Sequence, residues 1–173
     1  LIASKIDEQS DLIAAFNQGE SSREEVLSEL ENAVQEAGQS VFEMAQNSPQ
    51  QLGMGTTISA LLLTKTRGFI AHVGHSRIYI LRQSEVVQLS EDHSLFAELI
   101  RQGRMRPTNA NAAKHTDSVT RALGIYANVQ VDTFDFELAA GDSFLLATRG
   151  IWGALNDTRE LSDVIEAKGY SDT

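Results

Sequence analysis

Four stretches between Thr56 and Leu89 limit the possible folds more than anything else in this chain. "TTISALLLTKT" (56–66), "GFIAHVG" (68–74), "RIYILR" (77–82) and "VVQL" (86–89) are rich in β-branched and apolar residues. Only a few residues separate each stretch from the next. Strands joined that closely pair antiparallel, so the segment is expected to form a meander. Further on, "VQVDTFDFEL" (129–138) alternates, with Val129, Val131 and Thr133 on one face against Gln130, Asp132 and Phe134. "AAGD" then turns into "SFLLAT" (143–148), which reads as a buried strand.

Helical patterns surround these strands. Ile2, Ile6, Leu12, Ile13 and Phe16 fit a short helix over 1–17. Ser22 and Glu25 then make a capping box, in which hydroxyl and carboxylate each satisfy an orphan N–H. The helix it opens is expected over 23–47, with Val26, Leu30, Ala33, Val34, Ala37, Val41, Met44 and Ala45 as one apolar stripe and Pro49 as its stop. "SEDHSLFAELIRQG" is expected to start a helix at Ser90 that runs to about 102, where Gly103 caps it. Residues 103–118 are polar and irregular, an expected exposed excursion, and "DTRELSDVIEAK" (157–168) reads as a final amphipathic helix. The order gives a layered α+β domain, taken as one unit over 1–173 with a flap-like excursion at about 90–120.

Charge narrows the function. The formal net charge is −10, from 24 acidic and 14 basic residues. A phosphate-neutralising nucleic-acid binder shows the opposite balance, and Arg101, Arg104 and Arg106 are the only basic cluster. There are no cysteines, which excludes disulfides and thiolate metal sites. The longest strongly apolar stretch, "ISALLL", is far too short to span a bilayer, and no secretory signal is visible. A cytoplasmic domain without membrane insertion is expected. The opening on Leu1 rather than Met suggests a piece of something larger.

Five segments, in order, resemble the metal-dependent protein phosphatases, the PPM or type 2C serine/threonine family, especially its bacterial members. "LGMGTTISALLL" resembles the family's Gly-Thr-Thr strand entry, and "AHVGHSRIYILR" its "GDSR" hairpin. "VVQLSEDHSLFAELIRQG" resembles the approach to the flap, "SVTRALG" (118–124) the flap exit, and "LAAGDSFLLATRGIWGAL" the strand that ends in "SDG". The resemblance implies a four-layer αββα sandwich, two antiparallel sheets face to face with helices outside, here incomplete at both ends. It also implies a site built on carboxylates. The family holds two Mg²⁺ or Mn²⁺ ions between the sheets, and such hard cations take oxygen ligands.

Checked position by position, that carboxylate set is degraded. The "GDSR" Asp, a ligand of an additional metal, corresponds to His75, between Gly74 and the retained Ser76 and Arg77. The "SDG" Asp, a ligand of the central pair, corresponds to Arg149, ahead of Gly150 and Trp152. Asp to Arg reverses the sign of the interaction with a dication; the planar fork suits a carboxylate or phosphate instead. The family's amino-terminal acidic motif, phosphate-gripping arginine and "ADG" Asp have no match in residues 1–50, and its carboxy-terminal "DN" Asp has none before Thr173. On this basis no catalytic residue, no metal site and no bound cofactor are expected.

The other polar residues have plainer readings. His75 reads as a polar side chain at a hairpin mouth, with His72 facing the opposite side. Asp92 or Ser94 is expected to cap the next helix, and His93 to settle the strand-to-helix corner. His115 reads as a solvated loop group. Asp132, Asp135 and Glu137 read as the outward side of a strand, Asp142 as turn chemistry, and Arg77 as structural. Trp152 is expected to fill cleft space that active relatives leave for metal and water. Gly53 and Gly55 lack the lysine of a phosphate loop.

The leading functional reading is therefore a phosphatase-like domain that has lost its metal ligands and acts as a regulatory or protein-binding module. A kinase, a phosphoprotein or a neighbouring domain would be its partner. An open sheet edge would also allow a homodimer. The alternative is an active Mg²⁺/Mn²⁺-dependent phosphatase whose terminal metal-binding segments lie outside this chain. A third reading, a cation-independent hydrolase on His75 or His93, has no nucleophile at a suitable spacing.

Overall fold

The computed structural model describes residues 10–83, 85–106 and 118–154, together with 161 and 163. In chain order the elements are α1 (Ser10–Gln18), α2 (Arg23–Asn47), a 3-10 turn (Pro49–Gln51), β1 (Ile58–Leu63), β2 (Arg67–Val73), β3 (Arg77–Arg82), β4 (Glu85–Gln88), α3 (Leu95–Arg101), β5 (Asp132–Glu137), β6 (Ser143–Ala147) and α4 (Arg149–Trp152).

The strands form two three-stranded sheets, ordered β1-β2-β5 and β4-β3-β6. Every pairing is antiparallel. The expected meander is thus split: β1 and β2 make a hairpin in one sheet, β3 and β4 a hairpin in the other. The chain changes sheets at Gly74, whose φ of +117° lies where L residues are strained. A Cβ there would also stand 2.3 Å from the Thr57 side chain.

Alternation along the strands assigns the layers. Phe69, Ala71 and Val73 of β2 pack with Val26, Leu30 and Val34 of α2, and with Leu123 and Val131. Ile70 and His72 point to the other face and are equally buried. In the second sheet Ile78 and Ile80 are buried, while Tyr79 on the reverse joins Ala147, Trp152 and Leu161. Phe136 of β5 meets Phe144 of β6 with ring centroids 5.7 Å apart, which identifies the faces that look at each other. From outside in, the order is helix, sheet, sheet, helix, the sandwich that the resemblance implied.

α2 starts where expected. Ser22 Oγ accepts from the Glu25 amide at 3.2 Å, and the Glu25 carboxylate accepts from the Ser22 amide at 2.7 Å. Its stripe departs at one place: the buried line at the far end runs through Ala37, Gly38 and Ala45, and Met44 falls beside it, 56% exposed.

Three further expectations are corrected. Ser90 does not open a helix. Ser90 lies in a bend and residues 91–93 form no helix, the Ser90 hydroxyl accepts from the Ile78 amide at 3.0 Å, and Ser94 caps α3 by accepting from Ala97. β6 is not a buried strand. It pairs only with β3 among the described residues, and Leu146 is 46% exposed although it faces the other sheet. The short helix α4 was not expected. Of the final helix, Leu161 and Asp163 are helical, and the rest of 157–168 lies outside the described residues, as does His115.

Candidate functional site around the Gly74 turn

The sheet change at Gly74 is held by two buried histidines, 1% exposed for His72 and 2% for His93. The Gly74 carbonyl accepts from the His93 amide at 2.7 Å and lies 3.1 Å from His72 Nε2. The Gly74 amide donates to His93 Nδ1 at 3.0 Å. Nδ1 therefore carries no proton, and the neutral ring holds its hydrogen on Nε2, which reaches Asp132 Oδ2 at 2.9 Å. Arg121 Nη1 closes the group, donating to Asp132 Oδ1 at 2.6 Å. Burial lowers the His93 pKa more than the Asp132 bond raises it. Burial pushes Asp132 the other way, yet the bonds from His93 and Arg121 hold its carboxyl below the usual range.

His72 reaches the turn from the opposite ring side. Its Nδ1 lies 2.9 Å from Ser59 Oγ, which donates to the Ser76 carbonyl at 2.9 Å. Burial first, then His93, lower its pKa. The Ser76 hydroxyl meets Thr57 Oγ1 at 3.0 Å. Ser76 and Gly74 thus act as structural parts of the turn. An open cavity of about 570 Å³ beside it is lined by His72, Leu89, Glu91, Asp132 and Phe134.

The second cluster lies on the outer face of the β4-β3-β6 sheet. Arg77 forks onto Asp92, Nε to Oδ1 at 2.8 Å and Nη2 to Oδ2 at 2.6 Å, and its Nη1 reaches the Tyr79 hydroxyl at 3.3 Å. Asp92 is therefore committed to Arg77 and does not cap α3. Burial opposes the Arg77 charge, but the bonds to Asp92 outweigh it and raise its pKa. The guanidinium carbon also stacks 3.6 Å from the Trp152 ring centre, a close cation–π contact. Trp152 Nε1 donates to the His75 carbonyl at 3.0 Å, and the His75 ring stands edge-on to the indole, 6.1 Å between centroids. The Arg149 guanidinium carbon lies 5.9 Å from the same ring.

Trp152 is accordingly corrected. It packs with Tyr79, Ala147 and Leu161 on the outer face and does not fill the cleft between the sheets. Gly150 sits inside α4 and touches none of these groups closely.

The two positions do not fit a divalent cation. His75 Nδ1 is buried with no hydrogen-bond partner among the described residues, so it offers one nitrogen. Burial lowers its pKa, and Arg149 and Arg77 lower it further against Asp92, so the neighbourhood is cationic. Among the described residues no three His, Asp or Glu side chains converge as a metal would require.

The acidic residues of β5 are also corrected. Asp132 faces the inter-sheet side with His72, opposite which it pairs, and is bound to His93 and Arg121. Asp135 points to the opposite face and pairs with Arg67 and Arg23. Asp142 does cap its turn, accepting from the Ala139 amide at 2.8 Å and from Arg82. The His93–Asp132–Arg121 group was missed because its members are 39 and 28 residues apart from His93, and no local spacing connects them.

Comparison with known proteins identifies the family and the fold. Residues 2–169 match the family described as "Protein phosphatase 2C". Serine/threonine phosphatase stp of Listeria welshimeri is 34% identical over 145 residues, 84% of this chain and 57% of that protein. Protein phosphatase PhpP of Streptococcus pneumoniae is 32% identical over 127 residues, covering 73% of this chain and 51% of the relative. The solved structure of the Mycobacterium tuberculosis serine/threonine phosphatase PstP/Ppp superposes with a TM-score of 0.71 at 28% identity, over 87% of this chain and 65% of that one. The chain thus spans little more than half the length of these curated relatives. No helix among the described residues is long and apolar enough to cross a membrane. On the match that runs through nearly all its residues, this chain belongs to the protein phosphatase 2C family.

Proposed function

We propose that this serine/threonine phosphatase-like domain works as a regulatory, protein-binding module rather than by metal-dependent hydrolysis. One observation supports this above all: Arg149 stands at the head of α4, beside Trp152 and within the electrostatic reach of His75, where the resemblance calls for carboxylates. A cation at that position repels the dications on which the family's chemistry depends. The partners this reading expects are a kinase, a phosphoprotein or a neighbouring domain. Pairing of two copies along the β6 edge is a further expectation, since β6 has one described neighbour and apolar Leu145 and Leu146. Light scattering that gives a strict monomer at high concentration rejects that pairing.

The second reading, an active phosphatase, draws on the coverage: the chain spans 57% of the stp relative, and acidic groups elsewhere in a longer protein could complete a site. Calorimetric titration with Mn²⁺, run beside a p-nitrophenyl phosphate assay on the longest natural product, separates the two. No binding tighter than millimolar and no turnover is the expected result. Mn²⁺-dependent turnover establishes the second reading.

A further inference from the structure

We propose that His72 and His93 form a pH-sensitive clamp on the Gly74 turn, and that protonation of His93 opens it and frees the Gly74–Arg77 segment. The proposal does not depend on whether the domain is catalytic.

The placement of hydrogens around the turn decides which ring breaks it. The Gly74 amide points its hydrogen at His93 Nδ1, 3.0 Å away. Nε2 already bears the ring's hydrogen, because it faces the Asp132 carboxylate at 2.9 Å. A second proton can only go to Nδ1. There it meets the Gly74 N–H, donor against donor, and the bond is lost. The backbone has no alternative partner in view: Gly74 is held at φ +117° and a Cβ there would overlap Thr57, so the turn is tightly enclosed. His72 behaves differently. Ser59 Oγ spends its one hydrogen on the Ser76 carbonyl, so His72 Nδ1 already carries the ring hydrogen, and a second proton goes to Nε2, where it donates to the Gly74 carbonyl 3.1 Å away. That carbonyl accommodates the extra hydrogen, so His93 is the member that breaks. A charge on either ring still disfavours one on the other, with centroids 4.9 Å apart.

The charged groups that face His93 set where it titrates. Asp132 from β5 favours the proton; burial, Arg121 from the 118–124 segment, Arg101 at the end of α3 and His72 from β2 oppose it. The balance lies below the ordinary histidine value of 6.5. A histidine whose folded pKa is depressed binds fewer protons in the closed form than in the open one. The clamp is therefore intact above the ordinary value and weakens as pH falls beneath it.

The consequence reaches the second cluster through the backbone. Trp152 Nε1 donates to the carbonyl of His75, the residue after Gly74. Trp152 is the only tryptophan in the chain, so its emission reports the turn directly.

The test follows Gly74 amide exchange and the His93 ring nitrogens by NMR in the full chain, from about pH 7.5 to about pH 5, with Trp152 emission alongside. Gly74 should lose about tenfold of its protection as Nδ1 becomes protonated, with one shared midpoint. His93→Asn places an amide oxygen near Nδ1 and cannot titrate; it should keep Gly74 protected at acid pH and abolish the emission change. His75→Gln controls for direct quenching of Trp152 by His75 and should retain the response. The proposal is overturned if His93 takes up its proton with no change at Gly74. It is equally overturned if His93→Asn responds to pH as the parent does. Should His93→Asn fail to fold, the shared midpoint in the parent protein decides alone.

Discussion

The two sheets are backed by helices in very different ways. Behind the first sheet, α2 supplies Val26, Leu30 and Val34 against Phe69, Ala71 and Val73, a cluster of aliphatic and aromatic groups with the Arg67–Asp135 pair on the same sheet face. Behind the second sheet the buried cluster is Tyr79, Ala147, Trp152 and Leu161, ringed by Arg77, Arg149 and His75. The first region is held chiefly by burial and close packing of apolar groups. The second is held by directed contacts around a single indole, where geometry and charge decide. Sequence drift that would ruin the first can pass in the second. The two positions where the resemblance calls for aspartate lie in the second region, and its edge also carries the exposed Leu146 and Ile151.

The contrast is broken most directly by truncating one side chain on each side. Phe69 is fully buried and meets Phe16 edge-on at 5.1 Å. Phe69→Ala should destabilise the domain by about 3 to 5 kcal/mol, from lost transfer energy plus an unfilled cavity. Ile151, 54% exposed on α4, should change stability by less than about 0.5 kcal/mol when replaced by Ala. Denaturant midpoints at matched slopes measure both. Similar losses at the two sites would mean the second region is as tightly packed as the first.

A smaller effect sharpens the electrostatic half of the comparison. Asp92→Ala removes both bonds to a mostly buried Arg77 and leaves it with Tyr79 and the Trp152 face. The expected loss is about 2 to 3 kcal/mol, short of a fully buried pair because Arg77 keeps some solvent and the indole. Asp92→Asn keeps one acceptor and should lose about half of that. If the alanine variant costs nothing measurable, the fork is ornamental and the region is held by Trp152 alone.

What could be read in advance follows the range of the interaction. The capping box at Ser22 and Glu25 and the strand pattern around Ile70 are local, and local chemistry is visible in a short window; the change of sheets at Gly74, which splits the expected meander, is not. β6 was misread because "SFLLA" carries apolar residues on both faces, and apolarity cannot tell whether a neighbour covers them. Trp152 was placed in the cleft by analogy with the metal it was thought to replace. The phase of β3 alternation, Ile78 and Ile80 inward and Tyr79 outward, puts it on the reverse. Asp132 reads from the sequence as the outward side of a strand, since nothing near it in the chain announces His93 or Arg121. The positions where the family resemblance calls for aspartate were legible only through that resemblance, and His75 lies in a cationic neighbourhood with Arg149 and Arg77.

A loss smaller than that at Asp92 tests whether the first region needs directed contacts at all. Ser22→Ala deletes the hydroxyl that accepts from the Glu25 amide and leaves Glu25 to cap the helix from one side. The Ser22, Ser21 and Glu25 contacts are exposed, so water can replace what is lost. About 1 kcal/mol is expected, the ordinary cost of an N-cap hydroxyl. If the first region rests on burial, the loss should appear as fraying of the first turn near Glu24 and Glu25, seen as faster amide exchange there, with protection at Val34 and Phe69 following only the global change. A loss much larger than this, spread evenly over α2 and β2, would mean the start of α2 sets the register of the whole layer. The division between a buried half and a directed half would then have to be abandoned.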